Sequence, residues 1–255
     1  MSTAADTTLL DFSALPALAQ VQAQNYQSAK PFPHAVFDNF ISLDLARAIA
    51  ADVPAPGAEK NWRAIVDNYS DGDAAQHGKL GLPHEAEFSP LIRALLWELN
   101  SGPFLRFLET LTGIKGLIAD PRLQGGGVHQ ILPGGYLGVH ADFTEHKYYG
   151  LSRRLNVLIY LNENWQNEWG GHLELWERDL SRCARRVQPT LGRCVIFSTD
   201  DTSYHGHPEP LACPEGVTRK SLALYYYTNG RQDAVDSVTH TEWHKTHRTE
   251  LPIVE

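Results

Sequence analysis

The chain reads as a mostly β fold with added helices (α+β): a jelly-roll core with N-terminal helices packed on one sheet. Three observations lead there. From about Arg122 onward, short β-rich runs recur at close intervals, separated by Gly, Pro, Asn and Asp, with no helical run between them. Helical signals are confined to the first third of the chain. With 255 residues, 42% of them hydrophobic and 20% charged, there is enough apolar material for one substantial core and too much for disorder.

Ala14 to Ser28 has helical spacing, broken by Pro31-Phe32-Pro33. His34 to Phe40 follows as a strand. Ser42 is placed to cap a helix over about Leu43–Ala51, stopped by Pro54, and Ser89 to cap a second over Pro90–Asn100, with Pro at its first position. Pro103–Leu111 makes a third. The intervening stretch 61–83 is polar and Gly-containing with no firm period, and is expected to be a long loop or lid. The β-rich runs are Gly127–Leu132, Tyr136–Phe143, Leu155–Leu161, His172–Trp176, Arg185–Gln188, Cys194–Ser198 and Arg219–Thr228. Seven or eight short strands at this spacing suit an antiparallel sandwich or barrel, of which the eight-stranded jelly roll is the common closed form. The expected organisation is a support region over 1–121, a catalytic core over 122–228 and a tail over 229–255, acting as one functional domain.

Composition narrows the function. No run is long and apolar enough for a membrane span, and Met1–Asp6 lacks the basic-then-apolar order of a secretory signal, so neither a membrane nor export is expected. A net charge of −8 argues against nucleic acid as a partner. Three cysteines without a CxxC pair suit buried thiols in a reducing, cytoplasmic setting. Twelve histidines beside a single methionine direct attention to where the histidines fall.

His140-Ala141-Asp142 is the only His-x-Asp, but His-x-Glu occurs at His172, His207 and His240, so the tripeptide alone decides nothing. In Gly170–Trp176 the alternation with Leu173 and Leu175 turns His172 and Glu174 toward solvent. His207-Pro208-Glu209 contains a proline, and His240/Glu242 lies in the tail. His140 and Asp142 instead continue a strand face with Tyr136 and Gly138, where two ligands two residues apart can grip one ion. His205 is the candidate third ligand. Two imidazoles and one carboxylate on one side of an ion suit non-haem Fe(II), with zinc the competing use. Arg219 opens the long run Arg219–Tyr227 and shares a face with Ser221 and Ala223, whereas Lys220 faces out. A guanidinium inside a barrel needs an anion, and a ligand carboxylate fits its fork.

His140-x-Asp142, then His205, then Arg219-x-Ser221, together resemble the 2-oxoglutarate/Fe(II)-dependent dioxygenases of the prolyl 4-hydroxylase-like superfamily. Leu155–Asn162 resembles the third core strand of that family, followed by Trp165 and the Gly170-Gly171 turn. The resemblance covers about 122–228, with Pro31–Phe40 as entry to the fold. It implies a double-stranded β-helix, with His140, Asp142 and His205 as catalytic iron ligands. It puts Arg219 on the distal carboxylate of 2-oxoglutarate, helped by Tyr160, with Ser221 beside it and Asn156 lining the same cavity. The implied reaction uses Fe(II), 2-oxoglutarate and O2, with ascorbate as a stimulant, and hydroxylates an unactivated C–H bond with release of succinate and CO2. The substrate would be a small molecule or a peptidyl residue.

Substrate contacts are expected from two loops, 61–83 with Trp62, Tyr69 and Lys79, and 144–154 with Tyr148, Tyr149 and Arg153. Arg178, Arg182, Arg185, Arg186 and Arg193 form either an anion-attracting patch or a solvated strand edge. Two rival readings are a cupin-type metal-dependent isomerase or hydrolase, and a non-catalytic jelly-roll binding module. The first leaves Arg219 without a carboxylate; the second tolerates changes at Asp142.

Overall fold

A computed structural model describes residues 8–60, 62–233, 235, 236 and 238–246. The Met1–Asp6 segment, Asn61 and the last residues of the tail lie outside them. Among the described residues are four α-helices: α1 (Leu15–Ser28), α2 (Leu43–Asp52), α3 (Pro90–Leu99) and α4 (Gly102–Thr112). Their ends follow the local chemistry. Ser42 Oγ accepts from the Leu45 amide and Ser89 Oγ from the Ile92 amide, each at 3.2 Å, which satisfies an otherwise orphaned helical donor. Gly113 ends α4 in the left-handed conformation. No described helix is long and apolar enough to cross a membrane.

Twelve strands follow in chain order. They are β1 (His34–Phe37), β2 (Arg63–Asn68), β3 (Ala74–Leu82), β4 (Ile118–Ala119), β5 (Gly127–Ala141), β6 (Ser152–Tyr160), β7 (Leu173–Trp176), β8 (Cys183–Val187), β9 (Cys194–Ser198), β10 (His205–His207), β11 (Arg219–Thr228) and β12 (Glu242–His244). They pair antiparallel in the order β1-β9-β6-β11-β5-β10-β7-β8, with β3 and β12 also on β5. The halves of this order face each other, since Leu173, Leu175 and Val187 pack against Tyr160, Val195 and Phe197. This is the antiparallel jelly roll of a double-stranded β-helix. The helices cover the outer face of the larger half. There Leu155, Val157 and Ile159 of β6 and Leu222, Leu224 and Tyr226 of β11 join the helices in one buried cluster. Alternation then turns Asn156, Tyr160, Arg219 and Ser221 to the inside.

The structure corrects several sequence expectations. Segment 61–83 is not a loop: β2 and β3 form a hairpin that pairs with β5 through β3. Five of the six β2 residues are exposed, so that strand has no apolar face to betray it. The runs Gly127–Leu132 and Tyr136–Phe143 are one continuous strand, Gly127–Ala141, despite Pro133-Gly134-Gly135. The tail is not wholly without structure, because β12 pairs with the end of β5. His172 and Glu174, expected in solvent, are 1% and 2% exposed. Leu173 and Leu175 do face the core, but the opposite face is covered. His172 Nε2 lies 2.9 Å from Asn167 Oδ1, Trp176 Nε1 donates to Glu174, and Arg186 sits 3.4 Å from Glu174.

Candidate metal and 2-oxoglutarate site

The inner face carries a cavity of about 210 Å3 lined by His140, Asp142, His205, Arg219 and Ser221, among others. His205 on β10 pairs with His140 on β5, so two residues distant in sequence become cross-strand neighbours with ring centroids 4.4 Å apart. Each imidazole has its Nδ1 2.9 Å from a carbonyl oxygen, that of Gly138 for His140 and that of Ser203 for His205. A carbonyl can only accept, so Nδ1 carries the proton and the Nε2 lone pair is free.

Asp142 completes the group. Its Oδ1 lies 3.7 Å from His140 Nε2 and its Oδ2 3.4 Å from His205 Nε2, and all three ligand atoms fall within 4.8 Å of one another. Adjacent ligands on an ion bound at about 2.1 Å stand roughly 3 Å apart, so a modest contraction closes this set on a cation. Burial pushes the His140 imidazole down to about 3, with the neighbouring His205 adding to the effect, and burial lowers His205 as well. For Asp142 burial works the other way and is the largest single influence, but Arg153, the two imidazoles and the Asn156 amide together outweigh it and hold the carboxyl well below its usual range. Neutral imidazoles beside an ionised carboxylate are the forms that bind a divalent cation.

Arg153 is the residue whose role the sequence reading missed. It was expected in a loop wall over the substrate. Instead it is 1% exposed on β6, beneath the cluster, donating to Asp142 Oδ2 at 2.9 Å. Its guanidinium lies over the Tyr225 ring at 3.5 Å and near Phe143 at 4.3 Å. Asn156 lines the cavity as expected, but its amide donates to the same Asp142 oxygen at 2.7 Å while its carbonyl accepts from Arg153 at 2.6 Å. Alternation gave no signal for Arg153: it shares the parity of the outward Leu155 and Val157, and the irregularity in the β6–β11 pairing, where Tyr226 faces Leu155 and Tyr227 faces Arg153, lets it turn inward.

Arg219 is 6% exposed. Its Nε donates to the Gly171 carbonyl at 2.6 Å and its Nη2 to Tyr160 Oη at 3.3 Å. No protein carboxylate pairs with it among the described residues, and three of its five N–H donors remain available. The glycine is obligatory here: a Cβ on Gly171 would stand 2.6 Å from Leu211 and 3.0 Å from Arg219 Cδ, at a φ of +68°. Ser221 pairs with Tyr160 across the sheet.

Parity on β5 differs from expectation. Leu137, not Tyr136 or Gly138, lines the cavity with His140. The register between β5 and β10 shifts there, with His205 opposite His140 but His207 opposite Leu137. His207 shares the parity of His205 and also points inward, buried with neither ring nitrogen partnered, yet it stands outside the ligand cluster. At the cavity wall, Trp243 of β12 pairs with His140, and its ring lies tilted against the imidazole with centroids 4.7 Å apart. Trp243 Nε1 donates to Asp67 at 2.8 Å, and Lys245 pairs with Asp71 and Asp73, tying β12 to the β2–β3 hairpin.

The remaining candidates lie elsewhere. Tyr148 and Tyr149 are half exposed and group around Arg122. The arginine cluster is consumed in local pairs: Arg178 with Asp200, Arg182 with Glu177, Arg185 with His34, Arg186 with Glu174 and Arg193 with Asp38. It forms no open anion site.

Residues 126–227 match the family model of the 2OG-Fe(II) oxygenase superfamily. Among solved structures, the chain is similar to a prolyl hydroxylase from Trichoplax adhaerens, in complex with a hypoxia inducible factor oxygen degradation domain peptide fragment. The identity is 15% over 84% of this chain and 91% of that one, with a TM-score of 0.58. It is also similar to a Pseudomonas putida prolyl-4-hydroxylase, at 18% identity over 83% of this chain and 100% of that one, TM-score 0.54. A third is HygX from Streptomyces hygroscopicus with nickel, 2-oxoglutarate and hygromycin B bound, at 12% identity over 87% and 96%, TM-score 0.55. Such identities show a shared fold. No curated protein sequence matches the chain. The fold is therefore prolyl 4-hydroxylase-like, residues 126–227 match the 2OG-Fe(II) oxygenase superfamily model, and the His140–Asp142–His205 group with Arg219 in the same cavity suits Fe(II) and 2-oxoglutarate.

Proposed function

We propose that the protein is an Fe(II)- and 2-oxoglutarate-dependent dioxygenase that hydroxylates an unactivated C–H bond, releasing succinate and CO2. The observation that carries this reading is Arg219, a buried cation without a carboxylate partner among the described residues, in the same cavity as the His140–Asp142–His205 cluster. A buried guanidinium is tolerated when an anion joins it, and a dicarboxylate spanning from metal to Arg219 supplies one.

His140, Asp142 and His205 would hold the metal on one side, which leaves opposite positions for co-substrate and O2. Bound iron supplies activation of O2 coupled to decarboxylation of 2-oxoglutarate. The chain's own groups set the geometry. The Gly138 and Ser203 carbonyls fix the imidazole tautomers. Arg153 and Asn156 occupy Asp142 Oδ2, so Oδ1 is the oxygen best placed to bind. Arg219 and the Tyr160 hydroxyl receive the distal carboxylate, and Ser221 lies beside them. Leu158, Leu173 and Ala223 keep the cavity wall apolar. Trp243 and the hairpin close its mouth, in keeping with a lid role for 61–83. The substrate, a peptidyl residue or a small molecule, would enter between them in a cytoplasmic setting.

The test is anaerobic titration of the apoprotein with Fe(II) and then 2-oxoglutarate, followed by the visible metal-to-ligand charge-transfer band. A saturable band in the wild type, absent in Asp142→Ala, supports the reading, with succinate release lost in the same variant. A metal-dependent activity that ignores 2-oxoglutarate would favour a cupin-type isomerase or hydrolase. Indifference to metal and to Asp142 would leave a binding module.

A further inference from the structure

Lys79 is a second cation aimed into the cavity. On β3 it stands opposite Ile131 of β5, and Arg219 of β11 stands opposite the same Ile131 from the other side. The three therefore form one cross-strand row with side chains on one face, and all three line the cavity. Two strand spacings put the Lys79 and Arg219 backbones about 10 Å apart. A register shift between His77 and Lys79 turns the lysine inward. Gly78 sits at that shift with φ +65°, where a Cβ would stand 3.0 Å from Gly135 Cα.

Unlike the other cations of the cavity, Lys79 has no assignment. Arg153 is engaged by Asp142 and Asn156, and Arg219 is assigned to the distal carboxylate of 2-oxoglutarate. Lys79 makes no hydrogen bond or ion pair among the described residues. Burial lowers its ammonium to about 8, partly offset by the attraction of Asp142 and reinforced by Arg219 and Arg153. The nearby His129 side chain is buried with an unpartnered Nε2 and offers no negative charge. The carboxylate that acts on Lys79, Asp142, is already engaged by Arg153 and Asn156, so among the described residues this half-buried ammonium beside two guanidinium groups has no anion of its own. The metal-chelating end of 2-oxoglutarate is directed to the iron, so its two carboxylates leave Lys79 unmatched.

We propose that Lys79 seats a carboxylate carried by the primary substrate, so that the enzyme hydroxylates a small organic acid held by that group. This rests on the dioxygenase reading above.

The experiment uses the protein loaded anaerobically with Fe(II) and saturating 2-oxoglutarate, which occupies Arg219. Propionate, propionamide and inorganic phosphate are titrated separately, and the perturbation of the charge-transfer band is read. Propionate is expected to perturb it saturably, with propionamide silent and phosphate at least tenfold weaker. Lys79→Met should weaken propionate tenfold or more, and Lys79→Arg should restore most of that loss. In the same variants 2-oxoglutarate affinity should fall far less for Lys79→Met than for Arg219→Met, which also shows the lysine variant to be folded. Equal responses to propionate and propionamide, no response to either, or propionate binding that survives Lys79→Met would overturn the proposal. A stronger response to phosphate would replace the carboxylate class, and loss of 2-oxoglutarate in Lys79→Met would reassign the lysine to the co-substrate. If no charge-transfer band forms at all, the dioxygenase reading fails instead.

Discussion

Replacing Arg153 by Met probes the ligand set from beneath. The guanidinium lies against Tyr225 and Phe143, so an unbranched thioether can refill that slot with little void. What is removed is a 2.9 Å charge-assisted bond to Asp142, leaving Asn156 as the remaining donor to that oxygen. Removing one partner of a buried pair costs about 3–5 kcal/mol, because the other charge stays buried and uncompensated. The carboxyl, now resisting ionisation through burial, must also lose a proton to bind metal, so affinity should fall about 10–100-fold and become steeper with pH. Urea denaturation of the apoprotein gives the first quantity, and Mn(II) titration at pH 6 and 8 the second. In an Asp142→Asn background the stability cost of Arg153→Met should shrink by several-fold, since the charge it serves is gone. An undiminished cost in that background, or Mn(II) affinity within twofold of wild type, would refute the coupling.

Other substitutions follow from the same geometry. Arg219→Ala should raise the 2-oxoglutarate concentration needed for half-maximal band intensity at least tenfold, against less than twofold for the outward Lys220→Ala; similar effects would mean the wrong cation was assigned. Gly171→Ala should lose about 1–3 kcal/mol in thermal unfolding and weaken 2-oxoglutarate, because the new methyl strikes Leu211 and the Arg219 side chain. Burial lowers His129 to about 3, so the unfolded chain takes up a proton below about 6.5 that the native state refuses. Its stabilisation is complete above that pH and declines as pH falls, by about 2 kcal/mol at pH 5. Urea midpoints of wild type and His129→Gln should therefore converge on acidification, and parallel curves would exclude this source. Trp243→Ala removes the ring over His140 and the bond to Asp67. It should raise succinate release uncoupled from substrate while changing metal affinity little, and tighter coupling would contradict the closing role.

Legibility tracked the range of the interaction. Ser42 and Ser89 announce helix starts because capping is settled within four residues. Strand alternation likewise placed Arg219, Ser221, Tyr160 and Asn156 on one inner face. It misled where a bulge intervened: Leu137 lines the cavity in place of Tyr136 and Gly138, because the β5–β10 register shifts between His205 and His207. It also misled about exposure, since parity says which way His172 points and not whether Arg186, Asn167 and Trp176 cover that side. The β2–β3 hairpin escaped altogether, being an exposed edge whose pairing energy comes from backbone bonds to β5.

The order of amino acids alone determined the chemical inventory: two imidazoles, a carboxylate and an inward arginine on strands of readable alternation. Only the tertiary structure decided which of them meet. His205 reaches His140 through a cross-strand pair 65 residues apart, Arg153 reaches Asp142 from beneath, and Lys79 joins Arg219 across Ile131. The reason is physical. Alternation is a property of consecutive backbone units, whereas ligation, ionisation and charge matching depend on distances through space and on burial, which strand register and sheet closure create.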